Sequence, residues 1–139
     1  MRAQEEQLRN IGIELAWHCE AGLCRVEPDL FQSLLANLVD NARKAIDGQG
    51  SIDVQCKMMP DGCSLIVQDS GHGIPADAIA HLEEAFYRVD KARSRRQGGA
   101  GLGLALCHEI AMLHGGSLHF DSVPGHGTRV IALLRGGRA

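Results

Sequence analysis

The chain has 139 residues, 45% of them hydrophobic and 22% charged, with a formal charge of −3. That length carries one ordinary domain around one core, and no apolar run reaches the length of a membrane span. The acidic balance gives no reason to expect nucleic acid as the main partner. The polar start, MRAQEEQLRN, lacks the apolar centre of a signal peptide. Five cysteines with no CxxC pair argue against structural zinc and for reduced thiols in a cytoplasmic setting.

In chain order, residues 1–9 read as the tail of a helix arriving from an upstream segment. IGIELAWHCE (11–20) alternates as a strand, which LCRV (23–26) extends or pairs with. Pro28, suited to a first helical turn, opens a long apolar-periodic helix from about Asp29 to Ile46, and Asp47-Gly48-Gln49-Gly50 ends it. SIDVQCKMM (51–59) and CSLIVQD (63–69) form a hairpin around Pro60-Asp61-Gly62. SGHGIP is a glycine turn and ADAIAHLEEAF (76–86) a short helix. Arg88 to Gly98 is basic and without period, which predicts a mobile loop. GLGLALCHEIAMLH (101–114) is helical, with Gly115-Gly116 as its stop. SLHFDS (117–122) and TRVIALL (128–134) make a second hairpin around Pro124-Gly125-His126-Gly127. Hairpins separated by helices predict an α+β fold: a two-layer α/β sandwich, with a mixed, mostly antiparallel sheet covered on one face by helices.

In the first long helix Phe31, Leu35, Leu38, Val39, Ala42 and Ile46 fall on one broad face, and Asn37, Asn41 and Lys44 are expected on the opposite side. Two carboxamides and an ammonium in a row suit a metal phosphate, since an amide oxygen is a hard neutral ligand for Mg²⁺. Alone, the row fits a solvated helix face better. Asp69 ends an apolar strand before Gly71 and Gly73. There it can accept from the amino group of adenine, whereas guanine would set an acceptor against it. An Asx-turn at a strand end explains it as well. GHGIPA matches the loose fingerprint GxGxxA but lacks the parallel βαβ context that motif needs. Gly98-Gly99-Ala100-Gly101-Leu102-Gly103-Leu104 runs into a helix, where backbone N–H groups and the helix dipole favour an anion. No GxxxxGK[ST] occurs. Gly125-His126-Gly127-Thr128 adds a third glycine cluster.

Together and in order, these segments resemble the catalytic domain of sensor histidine kinases, part of an ATPase superfamily shared with DNA gyrase and mismatch-repair ATPases. NLVDNARK (37–44) resembles the N box, DSGHGIP (69–75) the G1 box and FYRVDKARSR (86–95) the F box. GGAGLGLAL (98–106) resembles the G2 box and GHGT (125–128) the G3 element. The resemblance covers nearly all of the chain past about residue 11. It implies ATP and Mg²⁺ as cofactors. Asn41 would hold the metal with Asn37 beside it, Lys44 would contact phosphate, and Arg88 would approach the γ-phosphate from a lid over 88–98. Asp69, supported by Thr128, would read adenine, with Gly71 and Gly73 bordering the base and Ile74 and Leu102 also binding the cofactor. Gly99, Gly101 and Gly103 would wrap the phosphates. The γ-phosphoryl would pass to a histidine on a neighbouring dimerisation domain, and from there to a response regulator.

The chain departs from the pattern in three places. None of its seven histidines lies in the acceptor setting; His108-Glu109 sits in the helix after the G2 box and reads as a surface pair. Residues 1–10 therefore read as the end of a linker helix from an absent phosphoacceptor domain, and 11–139 as the catalytic domain. It is expected to be monomeric, cytoplasmic and unable to phosphorylate itself. The aromatic residue that many relatives stack on adenine is Ala45 here, which implies weaker binding. Hydrolytic relatives carry a glutamate four residues before the metal asparagine. Asn37 stands there, and an amide is no general base.

Overall fold

A computed structural model describes residues 2–22, 24–74, 77–81, 84 and 100–135. Helix α1 (Arg2–Asn10) leads into strand β1 (Ile13–Cys19), and helix α2 (Pro28–Lys44) follows. Then come the hairpin β2 (Gly50–Met59) and β3 (Gly62–Asp69), helix α3 (Ala100–Leu113), and the hairpin β4 (Ser117–Val123) and β5 (Gly127–Leu134). Residues 77–81 are helical, inside the predicted 76–86. The remainder of that prediction, residue 84 apart, lies outside the described residues, as do Arg88 and the predicted lid at 88–98. Of the proposed strand at 23–26, residue 23 lies outside the described residues, and among the rest only an isolated bridge at Cys24 forms.

The sheet has five strands in the order β1-β2-β3-β5-β4. Both predicted hairpins are present, Ile52 facing Asp69 in one and Val123 facing Gly127 in the other. β3 also pairs antiparallel with β5, which brings Thr128 opposite Asp69. β1 runs parallel to β2, from Ile13 opposite Gly50 to Cys19 opposite Cys56. A parallel pair needs a crossover, and α2 supplies it. The sheet is therefore mixed and mostly antiparallel, as expected.

One core joins the layers. Leu34 and Leu38 of α2 and Cys107, Ile110 and Ala111 of α3 pack with Ile52, Val54, Leu65, Val67, Val130 and Ala132 of the sheet. Each large side chain removed from water there stabilises the fold by about 1.5–3 kcal/mol. Leu8 of α1 joins the same core. The five cysteines are free thiols, and burial pushes the Cys107 thiol up to about 12, so it packs as a small protonated hydrophobe.

The ends of α2 are fixed by chemistry the sequence partly displays. Pro28 occupies the first turn, and the Glu27 carboxylate accepts from the N–H groups of Asp29 and Leu30 at 3.4 and 3.0 Å. Glu27 N donates to His114 Nε2 at 3.1 Å. The other ring nitrogen of His114 lies 2.9 Å from the Ile110 carbonyl, which can only accept. The start of α2 is thereby pinned to the end of α3. At its far end the Ala45 N–H closes on the Asn41 and Ala42 carbonyls, and Gly48 takes φ +80. His108 proves half-buried rather than a surface residue.

Candidate functional site

A cavity of about 280 Å³ opens between the C-terminal half of α2 and the ends of β3 and β5. Its walls are mostly apolar, with Leu38, Ala42, Val67, Leu104 and Val130 among them. Five of the sequence-predicted residues line it: Asn41, Lys44, Asp69, Ile74 and Thr128. An apolar cavity with a few convergent polar groups is the usual form of a small-molecule site.

Asp69 is the buried charge at the floor, only 6% exposed. Its Oδ1 accepts from Gly71 N at 2.8 Å and from Thr128 N at 3.3 Å. That arrangement leaves Oδ2 as the oxygen with accepting capacity. Burial raises the Asp69 carboxyl above the ordinary 3.8, while the Gly71 and Thr128 N–H groups and the nearby His72 pull it the other way.

Behind Asp69 lies a hydroxyl relay that the sequence reading missed. Ser122 Oγ donates to Gly127 O at 3.1 Å, and its single proton is spent there. It must then accept from Thr128 Oγ1 at 3.0 Å and from Ile74 N at 2.6 Å. Thr128 therefore keeps its lone pairs for a neighbour in the cavity. Ser122 ties the glycine turn after β3 to the β4–β5 hairpin. Its signal, a serine in an alternating strand, resembles that of any exposed strand residue.

The glycines border this floor by close backbone approach. A Cβ at Gly71 would overlap the Ala45 carbonyl oxygen, and Gly73 has φ +78 in a buried position. Gly101, Leu102 and Gly103 fall in the first turn of α3, whose N–H groups have no intrahelical partner. Gly99 lies outside the described residues.

The polar row on α2 differs from its sequence expectation in one respect. Asn41 flanks the buried stripe instead of lying opposite it, lining the cavity beside Leu38, Ala42 and Ala45. Leu34 explains the difference: it is fully buried, so the helix is rolled toward Leu34 and Leu38 and brings the asparagine edge to the cavity rim. Asn41 Nδ2 donates to Asn37 O at 2.8 Å, and Asn37 Nδ2 donates to Ser33 O at 2.7 Å. Both amides spend their N–H groups on their own helix, and their Oδ1 atoms remain as acceptors. Lys44 Nζ sits 3.2 Å from Asp40 Oδ2, and Arg43 contacts Asp40 Oδ1 at 2.7 Å. Partial burial pushes the Asp40 carboxyl up, yet Arg43 and Lys44 outweigh it and hold the group below 3.8. Both ion pairs are largely exposed.

A two-layer sandwich with a buried carboxylate in an apolar cavity, lined also by Asn41 and Lys44, has the form of a small-molecule-binding class of domain. Comparison with known proteins gives the family. Residues 26–137 match the family model described as histidine kinase-, DNA gyrase B-, and HSP90-like ATPase, and the chain belongs to that family. It is 36% identical over 110 residues to the sensor protein kinase WalK of Staphylococcus aureus, covering 78% of this chain and 26% of that protein. The chain thus spans about a quarter of that relative's length. Among solved structures, the mycobacterial sensor histidine kinase MprB aligns with a TM-score of 0.75 at 26% identity, over 99% of this chain and 91% of that one. Full-length ShkA in complex with AMPPNP aligns with a TM-score of 0.75 at 25% identity, over 99% of this chain and 29% of that one.

Proposed function

We propose that this chain binds Mg²⁺–ATP and donates the γ-phosphoryl group to a histidine on a separate helical dimerisation domain, as the catalytic domain of a two-component sensor kinase. The observation that carries the reading is Asp69, a buried carboxylate with one oxygen tied by two backbone N–H groups and the other left to read an exocyclic amino group. Guanine would place an acceptor there, so the site favours adenine.

Phosphate binding falls to the cavity rim. The Oδ1 atoms of Asn41 and Asn37 suit a hard divalent cation with few protein ligands. Mg²⁺ held there would neutralise phosphate charge. Lys44 reaches phosphate by exchanging its exposed pairing with Asp40, which such a pair allows at small cost. Gly101 and Gly103 offer backbone N–H groups at the start of α3, Gly99 would add its own from the preceding segment, Ile74 and Leu102 would contact the nucleotide, and Arg88 would supply a cation from the segment 88–98. Catalysis is then positioning and charge neutralisation.

Asn37 separates this reading from self-sufficient ATP hydrolysis. Its amide, bonded to Ser33 O, cannot take a proton from water. The transferred phosphoryl would pass on to a response regulator. The domain would act in the cytoplasm, as part of a membrane-anchored sensor with α1 as the end of its linker. Among the described residues, no helix is long and apolar enough to cross a membrane.

The test is calorimetric titration with ATP, ADP and GTP, with and without Mg²⁺, followed by incubation with ATP and a helical histidine domain. Adenine-selective binding and label on the added histidine are expected. Equal binding of GTP, or steady phosphate release with no labelled protein, would overturn the reading.

A further inference from the structure

The cavity has room for a flat ring, and among the described residues His72 and Phe120 bring rings to its lining. Phe120 is half-buried and packed against the hydrophobic core. His72 is exposed and lines the cavity, so of these two rings it is the one open to a ligand. Its neighbour across the turn, Ala45, offers only a methyl group.

The position of His72 is not left to chance. Its backbone N–H donates to Ala45 O at 3.1 Å, and its carbonyl accepts from Gly125 N at 2.7 Å. Residue 72 is thereby clasped between the end of α2 and the turn before β5. The ring is fixed as well, because Nδ1 lies 3.0 Å from Gly73 O. A carbonyl oxygen only accepts, so Nδ1 carries a proton and the ring plane is set by that bond. Asp69 is close enough for the two side chains to interact electrostatically.

We propose that the His72 imidazole is the aromatic platform of this site, lying against the face of the adenine whose amino group Asp69 reads. The inference rests on the adenine-nucleotide reading above and adds a residue to it. An imidazole can stack on a base as larger rings do, and its edge is already occupied at Nδ1, which leaves the face for the ligand. Both backbone bonds of residue 72 survive any side-chain replacement other than proline, so substitution removes the ring without releasing the turn.

The experiment compares the parent chain with His72→Ala and His72→Phe by calorimetry, using ADP, ATP and inorganic tripolyphosphate with Mg²⁺, and checks each fold by thermal melting. His72→Ala is expected to weaken ADP and ATP about tenfold, and His72→Phe to keep them within about twofold, as for loss and retention of one base–aromatic stack. Tripolyphosphate, which has no base, is expected to bind all three chains alike. Equal ADP affinity in the parent and His72→Ala would overturn the role of His72 while leaving the nucleotide reading intact. So would parallel losses for ADP and tripolyphosphate, since those report a displaced loop. A parent chain that binds tripolyphosphate with no preference for adenine nucleotides would overturn the nucleotide reading itself.

Discussion

The two ends of the cavity are built on different principles. At the base end, Asp69 of β3, Thr128 of β5, Ser122 of β4 and the glycine turn are held to one another by backbone and hydroxyl bonds between elements. At the end proposed for the phosphates, the bonds of Asn37, Asn41 and Lys44 among the described residues stay within their own helix. Bonds between elements are costly to break where they are buried, as Thr128 N to Asp69 is, because each then leaves an unsatisfied polar atom. The exposed Lys44–Asp40 ion pair can exchange partners at small cost. The end proposed for the base is thus a template and the other an adjustable rim, which suits the proposed reaction, in which the base stays put while the phosphates meet a second domain.

The largest effect on this contrast is expected from Gly71→Ala, whose methyl group would meet the Ala45 carbonyl. A loss of about 1–3 kcal/mol on denaturant unfolding, with nucleotide binding weakened alongside, is the expected outcome. A variant of unchanged stability would show that the base end yields more easily than a template should.

Asp69→Asn keeps an oxygen for Gly71 N but removes the charge, and adenine affinity should fall about 10- to 100-fold in titration. Stability at neutral pH should hold or rise, since burial disfavours the ionised carboxyl. pH itself makes the same point. The folded-state value of Asp69 is raised, so its ionisation costs stability above that value, and the cost is relieved as pH falls toward the ordinary 3.8. Protonation in that window removes the charged acceptor, so adenine affinity should fall as pH drops while the Asp69 contribution to stability improves. Affinity that rises on acidification would exclude Asp69 as the reader.

Ser122→Ala takes one oxygen from Ile74 N, Thr128 Oγ1 and Gly127 O together, and a loss of about 1–3 kcal/mol in thermal or chemical unfolding is expected. Smallest of all, Asp40→Ala at the rim should change stability by no more than about 1 kcal/mol. It should tighten ATP slightly by freeing Lys44, and a large loss of stability would show that the rim is less adjustable than its exposure implies.

Much of this was legible in the residues. Both hairpins, the capping region of α2 and the glycine turns depend on neighbours a few positions apart, and their sequence signals are local. Asp69, Asn41, Lys44, Ile74 and Thr128 all stand out in the sequence motifs and meet at one cavity. Periodicity alone missed the burial of Leu34 and set the asparagines opposite the core, because the roll of a helix is decided by what it packs against. Ser122 and His72 were passed over for a similar reason. Each matters through a partner distant in the chain, such as Ile74 for Ser122 or Gly125 for His72.

By itself, then, the sequence determined where helices, hairpins and glycine turns begin and end, and which polar residues stand at their edges, since those choices are made by dihedral preference and short-range hydrogen bonding. Only the tertiary structure decided that β1 runs parallel to β2, that β5 lies between β3 and β4, and that Thr128 therefore faces Asp69. Those pairings join segments far apart in the chain, and they are selected by the burial of one shared core rather than by any local preference.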